Sequence, residues 1–166
     1  MNTNYYYLLS SLPSLKFDED LVILKQDFID ECDKWLLKKD VNKIKHLSDA
    51  NYIVARGDIS FIVDWKQFNK ELQENINVVR KSNLDDKKVK VPEHLNFLEE
   101  ENPLLLETAI EKYKWNFIKE HELKYYFDFN CLIMYYLKIC ILERLQSFNK
   151  IKGEKIFYNL CEVKYE

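Results

Sequence analysis

Apolar residues recur at intervals of three and four positions along most of this chain, a spacing that places them on one face of an α-helix. The first such stripe predicts a helix over about 20–39 and consists of Leu21, Leu24, Phe28, Cys32 and Trp35. A short helix is predicted next, capped by Asp40, with Val41, Ile44 and Leu47 inside. A third helix is predicted from a cap at Asp64 to about Lys81, with a stripe of Trp65, Phe68, Leu72, Ile76 and Val79.

The second half of the chain has stronger helix signals. Asn102-Pro103 combines a capping residue with a proline at the first helical position, and a stripe of Leu106, Ile110, Tyr113 and Phe117 follows. The segment near 128–148 is apolar on both faces and predicts a helix at the centre of its domain. Gly153 is expected to break the chain or the start of a helix. A last short helix then contains Ile156, Phe157, Leu160 and Cys161.

Three stretches lack a helical period. Residues 5–15 predict an extended segment or short strand, and residues 51–64 predict a loop or turn that includes Arg56-Gly57-Asp58. Residues 82–94 are charged and predict a mobile linker between an N-terminal and a C-terminal helical half. We therefore expect a single all-α domain over 1–166, a bundle of five to seven helices with an extended N-terminal segment.

Composition narrows the function. With only two glycines and three prolines, an all-β fold or a glycine-rich phosphate loop is disfavoured. The net charge of −3 provides no basic surface for nucleic acid. The longest apolar run, residues 131–142, contains Lys138 and is too short to span a bilayer. The start of the chain lacks the features of a signal peptide, so we expect a cytoplasmic protein without direct membrane insertion.

Reactive residues are not arranged in any familiar catalytic or metal-binding pattern. Cysteines 32, 131, 140 and 161 include no CxxC pair and are expected to be small core residues. Histidines 46, 94 and 121 form no HxxxH or ExxH pattern and are expected to be exposed. We therefore expect no catalytic residue, no metal and no cofactor, and hence not an enzyme, although an active site scattered through the sequence would leave no such pattern.

The arginines and aromatics supply the candidate binding residues. Arginine occurs only three times, and Arg144, beside Glu143, lies near the apolar face of the 128–148 helix. It is either half of a structural ion pair or helix-end cap, or an anchor for a partner, and Arg80 has the same alternatives. Trp115 belongs to an aromatic-rich stretch over 113–129 that forms either a core seam or a partly exposed surface.

Four segments, taken in order, resemble a bacterial family encoded within operons for V/A-type ATPases and distantly similar to the C/d-type coupling component of V-type ATPases. They are YYYLLSSLP (Tyr5–Pro13), WKQFNKEL with Arg80 downstream, ENPLLLE (Glu101–Glu107) leading to Trp115, and FDFNCLIMYYLKICILERL with Glu143-Arg144 near its end. The resemblance implies a non-catalytic helical subunit or accessory that joins the rotating central stalk to the membrane ring.

This resemblance also implies partners and a location. Rotor-stalk or membrane-ring subunits would bind the chain on the cytoplasmic side, at the inner face of the membrane. Proteins of the C/d type, however, are longer and contain three related helical lobes, so a full coupling element, a reduced one and an accessory all remain open. A free-standing cytoplasmic adaptor would instead show one exposed apolar patch. An enzyme would show a deep pocket with perturbed titratable groups.

Overall fold

The computed structural model describes residues 3–47, 57–84, 91–148 and 150–161, and these ranges contain helices and no strand. The α-helices are α1 (Thr3–Ser11), α2 (Lys25–Trp35), α3 (Lys38–His46), α4 (Ser60–Leu84), α5 (Pro103–Glu122), α6 (Phe129–Ser147) and α7 (Lys150–Cys161). A 3-10 helix, Glu93–Glu99, precedes α5. The prediction of an all-α helical bundle is confirmed.

Helix α6 lies at the centre of the bundle, as its two apolar faces predicted. It contacts α1, α2, α4 and α5. Its buried residues point in all directions around the helix axis and include Leu132, Ile133, Met134, Tyr136 and Ile139. Asp128 caps its start, where the carboxylate Oδ1 accepts the backbone N–H of Cys131 at 3.1 Å.

The core has two parts. The larger cluster joins residues of α1 to α3, the start of α4, the second half of α5 and α6. The smaller cluster lies between α4, the 3-10 helix and the first half of α5, and comprises Leu72, Ile76, Val79, Leu95, Leu98 and Ile110. The 3-10 helix therefore covers the parts of the apolar faces of α4 and α5 that α6 does not cover.

The N-terminal segment is a helix, and the prediction of an extended segment is wrong. Leu8 is fully buried, and Tyr5, Leu9 and Leu12 pack against the core at helical spacing. Tyr6 and Tyr7 lie on the opposite, exposed face, and these additional apolar residues hide the period in the sequence. The extended chain after α1 is held where the Tyr135 hydroxyl donates to the carbonyl oxygen of Pro13 at 2.8 Å.

Several predicted helix boundaries differ from those in the structure. Helix α2 occupies only the middle of the predicted range 20–39, because Leu24 and Leu36 at its ends have extended backbone conformations. Helix α4 starts at Ser60 rather than after Asp64, since Phe61 and Ile62 are buried and continue its apolar face. Asp40 lies in the first turn of α3 rather than at its cap.

The predicted breaks are shorter than expected. Residues 82–84 belong to α4 and residues 93–94 belong to the 3-10 helix, while 85–90 lie outside the described residues. Residues 51–56 of the predicted loop also lie outside them. Gly153 is an exposed residue inside α7, so it breaks neither the chain nor the start of the helix.

The cysteines and histidines differ from expectation at two positions. Cys32 is buried and Cys131 and Cys140 are half-buried, but Cys161 is exposed. His46 and His94 are exposed, as expected. His121 is not, because its ring packs against Phe61 and Phe117 and its Nδ1 lies 2.9 Å from the carbonyl oxygen of Phe117.

A matched pair of isoleucines tests the central position of α6. Ile133 is fully buried, whereas Ile156 on α7 is 59% exposed. We expect Ile133→Ala to lower the free energy of unfolding by about 2–5 kcal/mol, because it leaves a cavity in the core. Ile156→Ala should change it by less than about 0.5 kcal/mol. Urea denaturation measures both values, and equal losses would contradict this arrangement.

Candidate functional site

Arg144 is held by two carboxylates of α5. Its Nη2 donates to Glu107 Oε2 at 2.7 Å, and its Nε lies 3.2 Å from Glu111 Oε1. Glu107 and Glu111 are four residues apart, so the helical repeat places both carboxylates on the side of α5 that faces α6. These contacts match the ion-pair alternative for Arg144.

Glu111 is the most deeply buried charged group of this network, with a side chain only 2% exposed. Its Oε1 also accepts a hydrogen bond from Lys114 Nζ at 2.8 Å, so two cations meet at one carboxylate oxygen. A carboxylate removed from water is costly unless it is paired in this way. The network therefore ties the C-terminal end of α6 to α5.

Glu143, the neighbour of Arg144, connects α6 to a different helix. Its Oε1 accepts the backbone N–H of Lys25, the first residue of α2, at 2.9 Å. Leu24 at the N-cap position supplies no side-chain acceptor. Glu143 thus satisfies a helix N-terminal N–H group from another part of the chain and places negative charge at the favourable end of α2.

The other two sequence candidates lie elsewhere. Trp115 is buried, and the ammonium group of Lys138 lies 4.9 Å from the centre of its ring. Lys138 is itself buried and pairs with Glu122 at 2.5 Å. Trp115 therefore belongs to the core. Arg80 is exposed on α4, and the structure does not bring it together with Trp115, Glu143 or Arg144.

A cleft of about 700 Å³ opens beside Glu143 and Arg144. Lys66 on α4 and Asp58 before α4 pair across 2.8 Å in its wall, and Gly57, in the turn, has a φ of +98° that favours glycine. The cleft is lined by residues from α2 to α6, including Lys25, Lys43, Asp58, Ile62, Trp65, Lys66, Glu111, Lys114, Leu137, Cys140, Ile141, Glu143 and Arg144.

Two titratable groups of the cleft have shifted pKa values. Burial raises the pKa of the Cys140 thiol to about 11. Desolvation opposes the charge of Lys25, but the neighbouring Tyr136 and the negative charge of Glu143 hold its pKa above the ordinary value. At neutral pH both groups therefore keep their protons, so neither shift creates a thiolate nucleophile or a neutral amine base.

A continuous exposed surface of aromatic rings, here called the aromatic surface, is formed by Phe127, Tyr6, Tyr7 and Trp35. The ring centres of Phe127 and Tyr6 are 4.7 Å apart, those of Tyr6 and Tyr7 are 5.9 Å apart, and those of Tyr7 and Trp35 are 6.5 Å apart. All four side chains are exposed, although they come from α1, the end of α2 and the α5–α6 connection. Exposed aromatic clusters of this kind are typical of protein-binding surfaces.

Phe127, in the aromatic surface, has an unusual backbone conformation. Its φ is +50°, a left-handed conformation that is costly for a bulky side chain. That conformation accompanies the contact of the exposed ring of Phe127 with Tyr6, outside the core. The 113–129 aromatics are thus divided: Trp115 is buried in the core, and Phe127 is at the surface.

A second set of exposed apolar residues, here called the α7 surface, consists of Ile156, Phe157, Tyr158 and Leu160 and extends around much of the helix. Ile156 and Leu160 are one helical turn apart and lie on the same side of α7. Phe157 contacts Tyr158, and within the described ranges no ring contact connects either residue to the aromatic surface. The aromatic surface and the α7 surface are therefore not joined by a ring contact within the described residues.

Neither a cluster of metal ligands nor a membrane-spanning helix occurs within the described residues. Across residues 3–47, 57–84, 91–148 and 150–161, no three or more His, Cys, Asp and Glu side chains converge as a metal site would require. None of the helices in those ranges has the length and apolar character needed to cross a bilayer.

A family model described as a protein of unknown function (DUF2764) matches residues 53–164. This match covers more than half of the chain, which therefore belongs to that family. It spans α4 to α7 and so includes Arg80, Trp115, Glu143, Arg144 and the α7 surface. Searches of curated proteins and of solved structures each found no match.

Removal of the charge of Glu111 should weaken the link between α5 and α6. We expect Glu111→Gln to lower the free energy of unfolding by about 1.5–3 kcal/mol, because the buried hydrogen bond from Lys114 and the ion pair with Arg144 both lose the negative charge of Glu111. Glu107→Gln is the matched control, and its more exposed pair should contribute less than about 1 kcal/mol. A smaller loss for Glu111→Gln than for Glu107→Gln in urea denaturation would refute this assignment.

The four cysteines should differ in their reactivity with a thiol reagent at pH 8. Cys161 is exposed and should react first. Burial raises the pKa of Cys32 to about 12 and that of Cys140 to about 11, so both thiols stay protonated and should react slowly until the protein unfolds. Loss of the fast phase in Cys161→Ser is the expected control, and its persistence would show that another thiol is accessible.

Proposed function

We propose that this chain is a non-catalytic helical subunit or accessory of a V/A-type ATPase, similar in role to the C/d-type element between the central stalk and the membrane ring. The observation that carries the proposal is the presence of two exposed apolar surfaces on one helical body. A coupling element must hold two other proteins at once, whereas a simple adaptor needs only one such surface.

The character of both surfaces supports protein partners. Tyr, Trp and Phe are enriched at the energetic centres of protein interfaces, and the aromatic surface contains all three. The α7 surface presents Phe157 and Tyr158 beside two aliphatic residues. Rotor-stalk or membrane-ring subunits on the cytoplasmic side are the proposed partners, which would place the protein at the inner face of the membrane.

The rest of the body supports a mechanical role rather than a catalytic one. Long helices with little glycine and proline resist bending, as transmission of torque requires. The raised pKa of Cys140 in the cleft favours the inert thiol over the reactive thiolate. The C-terminal end of α6 is tied to α2 by Glu143 and to α5 by Arg144, which resists sliding of these helices.

The test is crosslinking of the tagged protein in native membranes, washed at moderate salt, followed by identification of the crosslinked ATPase components. We expect crosslinks to two different components. Tyr7→Asp should remove one of them and Phe157→Asp the other, each by weakening binding about 30-fold or more, because each change places a charge in the centre of an apolar interface.

Val78→Asp is the matched control, since Val78 is an exposed apolar residue of α4 outside both surfaces. This variant should retain both crosslinks. If the wild-type protein stays in the soluble fraction and crosslinks to no ATPase component, the proposal fails and a free-standing adaptor is favoured. Arg144→Ala should lower stability but leave partner binding intact in the folded fraction, because Arg144 binds Glu107 and Glu111 within the chain.

A further inference from the structure

The aromatic surface and α7 lie at opposite ends of α6. Phe127, in the aromatic surface, lies just before α6 starts at Phe129, and α7 starts at Lys150, just after α6 ends at Ser147. At a rise of about 1.5 Å per residue, α6 is about 28 Å long and α7 is about 18 Å long. Helix α7 is therefore too short to reach back along α6 and cover the aromatic surface of its own chain.

One side of α7 is apolar and exposed. Ile156, Phe157, Leu160 and Cys161 are all exposed, and at about 100° per residue they fall within an arc of about 140° around the helix, with Tyr158 outside that arc. Helix α7 packs only weakly against the other helices of the described residues. An isolated helix of this length is marginally stable in water, so α7 gains stability from a surface that covers its apolar side.

The aromatic surface and the apolar side of α7 expose similar areas. An aromatic side chain covers about 200 Å² and an aliphatic one somewhat less, so the exposed fractions correspond to about 400 Å² on the aromatic surface and about 350 Å² on α7. One contact between them would bury about 750 Å², which is less than the roughly 1,000 Å² of a specific interface. Two such contacts bury about 1,500 Å², which is sufficient for a stable dimer.

We propose that two copies of the free chain form a closed dimer in which α7 of each copy packs against the aromatic surface of the other. With the two α6 helices antiparallel, the C-terminal end of each lies beside the N-terminal end of the other, so both contacts form together. This arrangement has twofold symmetry and closes on itself. Pairing of α7 with α7, or of one aromatic surface with the other, would leave the second kind of surface in water.

The dimer goes beyond the ATPase proposal, because it concerns the chain before any other protein is bound. Since the same surfaces serve in both cases, an ATPase component that binds either surface displaces the second copy. The two proposals can fail separately: the dimer is measured on the purified chain, and the ATPase contacts are measured by crosslinking in native membranes.

The first test is sedimentation equilibrium of the purified full chain from low to high micromolar concentration. We expect a monomer–dimer equilibrium without larger species. Tyr7→Asp and Phe157→Asp should each weaken the dimer about 1,000-fold, because a loss of about 30-fold at one contact occurs twice in a twofold dimer. Val78→Asp is the matched control, since Val78 is exposed outside both surfaces, and this variant should dimerise as the wild type does.

The second test mixes the two disruptive variants. In their mixed dimer, α7 of the Tyr7→Asp copy meets the aromatic surface of the Phe157→Asp copy, and this contact is unmodified. Both substitutions then fall in the other contact, where the second has little left to disrupt, because effects at one contact are not additive. The mixture should therefore form dimers about tenfold more tightly than either variant alone.

Any of four results would overturn the proposal: a monomer at every concentration, assemblies that grow beyond the dimer, a dimer that survives either disruptive substitution, and a mixture that associates no more tightly than the separate variants. A dimer that survives Tyr7→Asp would indicate pairing of α7 with α7, and one that survives Phe157→Asp would indicate pairing of two aromatic surfaces. The concentration series uses the unmodified chain, so it decides whether a dimer forms even where a variant fails to fold. Thermal unfolding verifies that each variant is folded before its affinity is compared.

Discussion

Helix α6 must be covered on every side, and this requirement arranges the other helices. Successive residues of a helix point about 100° apart, so the fully buried Leu132, Ile133, Met134 and Tyr136 face in different directions. Burial of each such side chain stabilises the folded state by about 1.5–3 kcal/mol. Helices α1, α2, α4 and α5 supply the cover, and the burial of α6 therefore determines where their apolar faces must point.

The same helix also positions the polar groups. Its few charged residues occur where a neighbouring helix offers a partner: Lys138 meets Glu122 of α5, Glu143 meets the first N–H of α2, and Arg144 meets the carboxylates of α5. Because α6 is fixed by its core contacts, these side chains are held at defined places. The cleft beside its C-terminal end is thus a consequence of core packing as well as of local charge.

The sequence predicts those features of the fold that depend only on residues close together along the chain. Asn102-Pro103 starts α5, where Asn102 Oδ1 accepts the N–H of Leu104 at 3.0 Å, and the apolar period identifies α6. Helix α1 escapes prediction because Tyr6 and Tyr7 make its exposed face apolar as well. Periodicity reveals an apolar face but not what covers it. Some contacts depend on how helices that are distant in the sequence pack together, so no local sequence pattern predicts them. The ion pair between Arg144 and Glu111 and the ring contacts of the aromatic surface are of this kind.

The hydrogen bond between Lys25 and Glu143 joins residues 118 positions apart. On the ribosome, synthesis at about 5–20 residues per second leaves the start of α2 without this acceptor for about 6–24 s after Lys25 is made. The early helices must also wait for α6, whose apolar face covers Phe28 of α2. The N-terminal half of the nascent chain therefore exposes apolar surface until α6 has been synthesised. We expect chaperones that bind such surfaces to bind it before α6 emerges from the ribosome.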